Sequence, residues 1–157
     1  MKNDSKLKVN KAMIKDVRQI KKLVDHYSGR GKILPRSFSE LYDNVRDFYV
    51  CRYNGKVVGC CAMHILWEDI AELKALAVNY RYKGRGIGSL LVKKCVEEAK
   101  ELGLKRVFGF TYVPEFFGKL GFKVVKKEQL PQKVWGECIK CSKYPNCDEV
   151  AMVMELK

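Results

Sequence analysis

The first stretch with a regular apolar pattern predicts a helix. Apolar residues repeat at helical spacing from Val17 to Val24, directly behind Asp16. We therefore expect a helix that begins near Asp16 and ends by Gly29. The side chains of Asp16 and Gln19 are expected to satisfy free backbone amides in its first turn.

A second helix is predicted soon after the first. Ser37 and Glu40 form the S-x-x-E pattern of a capping box, in which each side chain accepts a hydrogen bond from the other residue's backbone amide. Leu41, Val45 and Phe48 then supply one apolar face at helical spacing.

Beyond the second helix the pattern becomes typical of strands. The runs FYVCRY and KVVGCCAMHIL flank an Asn-Gly pair at 54–55, which is the strongest short-range signal of a hairpin. A strand is then expected from about Ala71 to Val78, and a helix from about Gly86 to Leu102, stopped by Gly103. Further strands are predicted over KRVFGFTYV, GFKVV and EVAMVMEL, with a short helix in PEFFGKL. The fold class is therefore α/β, with a mixed, mostly antiparallel sheet flanked by helices.

Composition fits one globular domain. The chain has 157 residues, of which 47% are hydrophobic and 31% are charged, and we expect a single domain over residues 1–157. No run approaches the roughly 18 uninterrupted apolar residues that a membrane span requires. The first residues, MKNDSKLKVNK, are polar where a secretory signal is apolar. We therefore expect a cytoplasmic protein with no membrane partner.

The charge is strongly positive. Thirty-one Lys and Arg against 18 Asp and Glu give a formal net charge of +13, so the surface should attract anions. Nucleic acid, acidic lipid and a polyphosphate cofactor are all compatible with that charge. A solvated basic surface without a partner is the alternative.

The segment RYKGRGIGSLL, residues 81–91, combines three glycines with three cations just before a helix. Unpaired amides at a helix N-terminus bind phosphate when no Cβ atoms stand in the way. The pattern is not a Walker loop, because no G-K-[ST] follows, and it lacks the G-x-G-x-x-G spacing of a dinucleotide-binding turn. A glycine-rich turn without a ligand is the structural alternative.

In its context this segment resembles the acyl-CoA-binding motif of the GNAT superfamily of N-acetyltransferases. R-x-x-G-x-G follows an LAV strand and precedes an apolar helix, and FFGKLGF lies further on. The resemblance implies a GNAT-like fold and acetyl-CoA as cosubstrate. It also implies that loop amides hold the cofactor's pyrophosphate while the preceding strand binds the pantetheine arm. The implied cofactor-binding residues are Leu76, Ala77 and Val78 on the strand and Tyr82, Lys83, Gly84, Arg85, Gly86, Ile87, Gly88 and Ser89 in the loop.

A narrower resemblance is to N-acetylglutamate synthases, especially the short single-domain kind. It is carried by GKILPRSFSELYDNVRDFYVCRYNGKVVGCCAM, AELKALAV, FFGKLGF and LPQKVW. It implies transfer of an acetyl group to the α-amino group of L-glutamate, the first step of arginine biosynthesis. Larger relatives carry an arginine-binding domain, for which 157 residues leave no room, so we expect no feedback control of that kind.

The resemblance also implies catalytic residues. Acetyl transfer needs a neutral amine, and Glu72, on the strand before the loop, matches the family's basic carboxylate. Period-2 alternation places it on one face with Lys74 and Leu76, although a solvated strand residue is the alternative. Many GNAT enzymes protonate the departing thiolate with a Tyr where this chain has Phe117. Tyr112 is then the candidate donor, with a buried structural tyrosine as the alternative.

Glutamate presents two carboxylates, which basic side chains recognise. Arg36, in LPRS, and Lys133, in LPQKVW, match places that are basic in the synthases and are the candidate substrate-binding residues. Both are also compatible with ordinary surface charges.

Seven cysteines without a secretion signal imply reduced thiols. Cys138, Cys141 and Cys147 have the spacing C-x₂-C-x₅-C, but a closed zinc site needs a fourth ligand. We predict no metal site, with free thiols in a loop as the reading of these three. The remaining four fall in strand or helix patterns and are predicted to lie in the core: Cys51, Cys60, Cys61 and Cys95.

Three alternatives to glutamate acetylation stay open. The enzyme can serve another small amine or amino acid, such as glutamine or an arylalkylamine. A basic module that binds nucleic acid is a second class, but no RNP-like pattern or helix-turn-helix signature appears, and we expect no nucleic-acid partner. The third is a GNAT scaffold that binds CoA without turnover. The sequence does not decide the oligomeric state, for which a homodimer is one option.

Overall fold

The computed structural model describes residues 6–130 and 149–157. Their strands form one seven-stranded sheet in the order β1-β2-β3-β4-β5-β7-β6. The recorded strand pairs are antiparallel except for β4 and β5, which run parallel. The α/β class with a mixed, mostly antiparallel sheet is therefore confirmed. The strands are β1 Leu7–Lys11, β2 Phe48–Tyr53, β3 Lys56–Trp67, β4 Ile70–Val78, β5 Arg106–Thr111, β6 Lys123–Val125 and β7 Val150–Glu155, and the α-helices are α1 Val17–Ser28, α2 Phe38–Asp43, α3 Ile87–Glu101 and α4 Pro114–Lys119.

The hairpin between β2 and β3 forms where the Asn-Gly pair predicts it. Asn54 and Gly55 have φ values of 52° and 81°, and two consecutive left-handed residues give the turn whose twist matches that of the strands. The capping box of α2 is also confirmed, because the Ser37 side chain accepts from the Glu40 amide and Glu40 accepts from the Ser37 amide.

The N-terminal half differs from the predictions in three places. β1 was not predicted; it is a short, polar edge strand paired with β2, and two apolar residues in it are too few for a period signal. The second helix ends at Asp43, so Val45 and Phe48 do not extend its apolar face, and Phe48 is the first residue of β2, the strand predicted over FYVCRY.

The third error concerns the start of α1. Neither Asp16 nor Gln19 caps the helix: Asp16 accepts from the Met13 amide at 2.7 Å and pairs with Arg52. Gln19 accepts from the Val57 amide at 3.0 Å. Both side chains tie α1 to its neighbours, which local sequence cannot reveal.

Chain contacts divide the protein into two compact units. The first comprises residues 1–63 and 73–98, and the second comprises 64–72 and 99–157. A buried cluster of residues from α1, α2, β2, β3 and β4 fills the first unit, including Ile20, Leu41 and Val50. In the second unit Ile70 and Phe108 pack with residues of β7.

The four cysteines within the described residues are buried and unbridged, as predicted. Cys138, Cys141 and Cys147 lie outside the described residues. In the described part of the chain, no helix has the length and apolar character needed to cross a membrane.

Candidate active site

The segment from the end of β4 to the start of α3 is ordered by its own hydrogen bonds. Asn79 follows β4 directly, and its side-chain oxygen accepts from the Arg81 amide at 3.0 Å. The Asn79 carbonyl accepts from the Tyr82 amide at 2.8 Å. These bonds close a 3₁₀ turn over Tyr80–Tyr82, so the chain enters the glycine loop in a defined direction.

Two loop glycines adopt a backbone conformation that other residues avoid. Gly84 has a φ of 82° and Gly86 a φ of 78°, both in the left-handed region where a Cβ is strained. A Cβ built on either residue meets no heavy atom within 4 Å. The space over the loop is therefore open, and the glycines are required by the backbone conformation and not by crowding from the protein.

The backbone amides of the glycine loop have no acceptor among the described residues. The first hydrogen bond of α3 runs from the Leu90 amide to the Gly86 carbonyl, at 3.0 Å. Within residues 6–130 and 149–157, no acceptor is recorded for the backbone amides of residues 84–89. Six consecutive N–H groups at a helix N-terminus form a strong anion-binding arrangement.

Cations and tyrosine rings surround the loop. The Lys83 ammonium lies 5.5 Å from the ring centroid of Tyr27. The Arg85 guanidinium lies 5.0 Å from the ring of Tyr82 and 5.7 Å from that of Tyr53. Each cation is held over an aromatic face, and each adds positive charge beside the open amides.

Gly59 on β3 allows the start of α3 to approach the sheet closely. A Cβ at Gly59 would lie 2.9 Å from Cγ2 of Ile87 and 3.1 Å from Cδ1 of Leu91. Real Cβ atoms do not tolerate a contact of 2.9 Å, and Ile87 is fully buried with a branched, stiff side chain. The first turn of α3, and with it the open amides, is thus seated directly on β3.

The last part of β4 departs from regular strand geometry. Its ladder with β5 runs from Ile70↔Arg106 to Glu72↔Phe108. Ala75 then has a φ of 55°, which is unusual for a residue with a side chain. The Ala75 carbonyl accepts a bond from the buried Cys60 thiol at 3.4 Å. Along 76–78 buried and half-buried residues alternate, with Ala77 buried.

Comparison with known proteins assigns the chain to a family. Residues 18–122 match the acetyltransferase (GNAT) family. The chain is 39% identical over 148 residues to an uncharacterized N-acetyltransferase of Chlorobaculum tepidum, covering 94% of this chain and 96% of the relative. It is 38% identical over 132 residues to an amino-acid acetyltransferase of Mycobacterium tuberculosis, covering 82% and 75%. A crystal structure of a Mycobacterium tuberculosis protein in complex with CoA has a TM-score of 0.85 at 32% identity, over 96% of this chain and 99% of that one.

The chain belongs to the GNAT acetyltransferase family. The resemblance drawn from the loop sequence is thereby confirmed, and the protein is an acetyl-CoA-dependent N-acetyltransferase with acetyl-CoA as its cosubstrate. The open amides, the left-handed glycines and the cations beside them fit the diphosphate of that cosubstrate.

The first unit brings together the residues predicted to bind the cofactor of this GNAT enzyme. Leu76 to Val78 form the end of β4, and Tyr82 to Ser89 form the loop and the first turn of α3. Their assignment to CoA stays a prediction. Gly88, predicted with the other two glycines, lies inside the first turn of α3.

The predicted catalytic residues lie in the second unit. Glu72 is half-buried on β4, and the burial pattern places it on one face with Lys74, Leu76 and Val78, as expected. Tyr112 directly follows β5, and its hydroxyl oxygen is buried.

Phe117, for which the resemblance implied the place of a tyrosine in many GNAT enzymes, lies on α4. It is 9% exposed and packs edge-to-face with Phe116 and Phe122 at centroid distances of 5.0 and 5.4 Å. Its place in this aromatic cluster is that of a packing residue, since a phenyl ring carries no proton to transfer.

Of the two residues predicted to bind the acceptor, one lies within the described residues. Arg36 is half-buried and directly precedes the capping box of α2. Lys133 lies outside the described residues.

Two residues that contact the loop or the first turn of α3 are not among the predicted site residues. Tyr27 lies on α1, 51 positions before the Val78 carbonyl to which its hydroxyl donates. Gly59 lies in an apolar strand, and a glycine in that setting indicates close approach of another part of the chain.

Proposed function

We propose that this GNAT enzyme transfers the acetyl group of acetyl-CoA to the α-amino group of an amino acid, with L-glutamate as the preferred acceptor. The observation that carries the proposal is the row of six amides over residues 84–89, for which residues 6–130 and 149–157 offer no acceptor. It offers a diphosphate site from which the thioester arm would extend along Leu76 to Val78. An amino-acid acceptor is supported by the name of the 38% identical relative, an amino-acid acetyltransferase.

The reaction begins with loss of a proton from the acceptor. The α-ammonium group must become a neutral amine before its nitrogen attacks the thioester carbonyl. Glu72 is the proposed base, taking the proton directly or through a water. The new N–C bond forms as the carbonyl becomes tetrahedral, the nitrogen gives up its second proton to solvent, and collapse of that intermediate breaks the C–S bond.

The departing sulfur leaves as a thiolate and then takes up a proton. Phe117 cannot supply it, and the Tyr112 hydroxyl is the proposed donor. A thiolate is a tolerable leaving group near neutral pH. Solvent is therefore the alternative source of the proton, and in that case loss of the Tyr112 hydroxyl would lower turnover little.

Glutamate is proposed because its two carboxylates need cations. Arg36 and Lys133 are the proposed partners of these carboxylates, and planar guanidinium groups bind carboxylates with two parallel hydrogen bonds. Acetylation of glutamate would place the enzyme at the first step of arginine biosynthesis.

The decisive experiment measures CoA thiol release from acetyl-CoA with a panel of free amino acids and small amines. We expect the highest kcat/KM with L-glutamate. A higher value with glutamine or an arylalkylamine would overturn the acceptor but keep the acetyltransferase. Binding of nucleic acid that weakens steeply with salt, without thiol release, would instead favour the basic-module alternative.

The role of Glu72 is tested by Glu72→Gln, with Glu68→Gln in the exposed turn before β4 as the control. Loss of a general base lowers turnover by roughly 100- to 10,000-fold. The deficit should be largest near neutral pH and shrink as the acceptor amine deprotonates at higher pH. A loss that does not change with pH would remove Glu72 from the proton transfer.

A further inference from the structure

Tyr27 extends from the core of the first unit to the end of β4. Its ring is half-buried and packs against the cluster that includes Ile20 and Val24 of the same helix. Its hydroxyl donates a hydrogen bond to the carbonyl of Val78, the last residue of β4. Tyr27 is therefore fixed by packing against the core and binds through its hydroxyl to the last residue of β4, just before the glycine loop.

The peptide group between Val78 and Asn79 is held at both ends. Its carbonyl accepts from Tyr27, and its amide, the N–H of Asn79, donates to the Val58 carbonyl at 2.8 Å. Because a peptide group is planar, two bonds on opposite sides fix its rotation. That rotation sets the direction in which the chain leaves β4 and enters the loop.

The same ring also contacts the loop. The Lys83 ammonium lies 5.5 Å from the Tyr27 centroid, and Lys83 directly precedes the left-handed Gly84. The Tyr27 ring also packs edge-to-face with His26 at a centroid distance of 4.8 Å. Tyr27 thus touches the strand end through its hydroxyl and a loop cation through its ring face.

We propose that Tyr27 is a positioning residue of the acetyl-CoA site, which presets the angle between the pantetheine-binding strand and the diphosphate-binding loop. This inference rests on the proposed cofactor placement along Leu76 to Val78 and over residues 84–89. A preset angle strengthens binding because less conformational freedom is lost when the cofactor arrives.

The test is Tyr27→Phe in the full chain. This change keeps the ring, its packing and its contact with Lys83, and removes only the hydroxyl. We expect the KM for acetyl-CoA and the Kd of CoA to rise about 3- to 10-fold, as for loss of one hydrogen bond. The kcat and the acceptor KM should change by less than about twofold, because the reacting groups are untouched.

The matched control is Tyr49→Phe. Tyr49 is half-buried in the same unit, on β2, and its ring carries the Lys11 ammonium at 4.6 Å. We expect it to leave the affinity for CoA unchanged. A Tyr27→Phe variant that melts at a lower temperature but binds CoA as tightly as the wild type would overturn the proposal, since Tyr27 would then serve stability alone.

A second measurement uses the unmodified protein and separates this inference from the proposed function. Hydrogen exchange of the Asn79 amide should be slow before CoA is added and change little afterwards, whereas the amides of 84–89 should become protected only with CoA. Fast exchange at Asn79 that slows only on CoA binding would show that the angle is not preset, and would overturn the role of Tyr27 alone. Wild-type protein that binds no CoA would instead overturn the cofactor placement.

Discussion

Each end of α3 is flanked by a left-handed glycine, but the backbone amides near the two glycines differ in whether the protein supplies an acceptor for them. Gly86 precedes the helix with a φ of 78°, and Gly103 follows it with a φ of 85°. In both places an added Cβ would meet no heavy atom within 4 Å. The two glycines therefore solve the same backbone problem at opposite ends of one helix.

At the C-terminal end the protein satisfies its own backbone. The Gly103 amide donates to the Lys100 carbonyl and the Leu104 amide to the Ala99 carbonyl, both at 3.0 Å. This is the Schellman arrangement, completed by the buried side chain of Leu104. Nothing at this end calls for a ligand.

At the N-terminal end the backbone is left open. The amides of 84–89 have no recorded acceptor in the described part of the chain, and Lys83 and Arg85 stand beside them. Open amides and positive charge at a solvent-accessible helix end are what a diphosphate requires. A left-handed glycine alone therefore indicates a turn. Whether the neighbouring amides find acceptors within the protein indicates whether that turn is suited to hold a ligand.

The largest effect is expected from replacing the two glycines that flank α3, because only one of them neighbours the open amides. Gly86→Val should weaken CoA binding by at least about 100-fold, because the branched side chain distorts the amides that hold the diphosphate. Gly103→Val should leave CoA binding unchanged. Each variant should lose about 1–2 kcal/mol of unfolding free energy, since both place a Cβ at positive φ. Calorimetric titration with CoA and thermal melts of both variants measure the two quantities.

Equal loss of CoA affinity in the two variants would show that general damage to α3, and not the open amides, governs binding. Unchanged affinity in Gly86→Val would contradict the diphosphate site itself.

A smaller effect is expected at Gly59, on which the first turn of α3 packs. Gly59→Ala would place its Cβ 2.9 Å from Cγ2 of the fully buried Ile87, and overpacking of this kind costs about 1–3 kcal/mol. Because the first turn of α3 must shift, the affinity for CoA should fall together with stability. The matched control is Gly118→Ala on α4, where the added Cβ meets nothing within 4 Å; we expect no loss there. A Gly59→Ala protein as stable as the wild type would show that the seating of α3 on β3 is looser than these contacts indicate.

The smallest effect concerns the buried thiols of Cys60 and Cys61 on β3 and of Cys95 on α3. Burial raises the pKa of Cys60 to about 12, and in the same cluster the hydrogen bond with Cys95 and burial raise the pKa of Cys61. The unfolded chain then binds fewer protons than the folded chain above pH 9, so these thiols' contribution to stability is complete below pH 9 and is lost as pH rises towards 12.

Denaturant unfolding at pH 8 and pH 10 measures this loss. Lysines and tyrosines also titrate there, so Cys60→Ala serves as the reference, and its stability should fall less between the two pH values by about 1 kcal/mol. The same fall in both proteins would mean that the Cys60 thiol titrates alike in the folded and unfolded chain.

Local sequence determined those elements whose signals lie within a few residues of one another. The Asn-Gly hairpin, the Ser37–Glu40 capping box and the end of α3 at Gly103 all depend on backbone conformations and bonds that span four or five positions. The glycine loop belongs to the same class: together with the LAV strand before it, the apolar helix after it and FFGKLGF further on, it indicated the family.

Only tertiary structure decided the contacts that join distant parts of the chain. The pairing of Asp16 with Arg52, the bond from Tyr27 to Val78 and the approach of Ile87 to Gly59 each link positions between 28 and 51 residues apart. The same holds for β1, whose partner β2 lies some 40 residues further along the chain. Periodicity records which face of an element is buried, but not which residue lies opposite it. For that reason the loop was visible in the sequence, whereas the side chains that hold it in place were not.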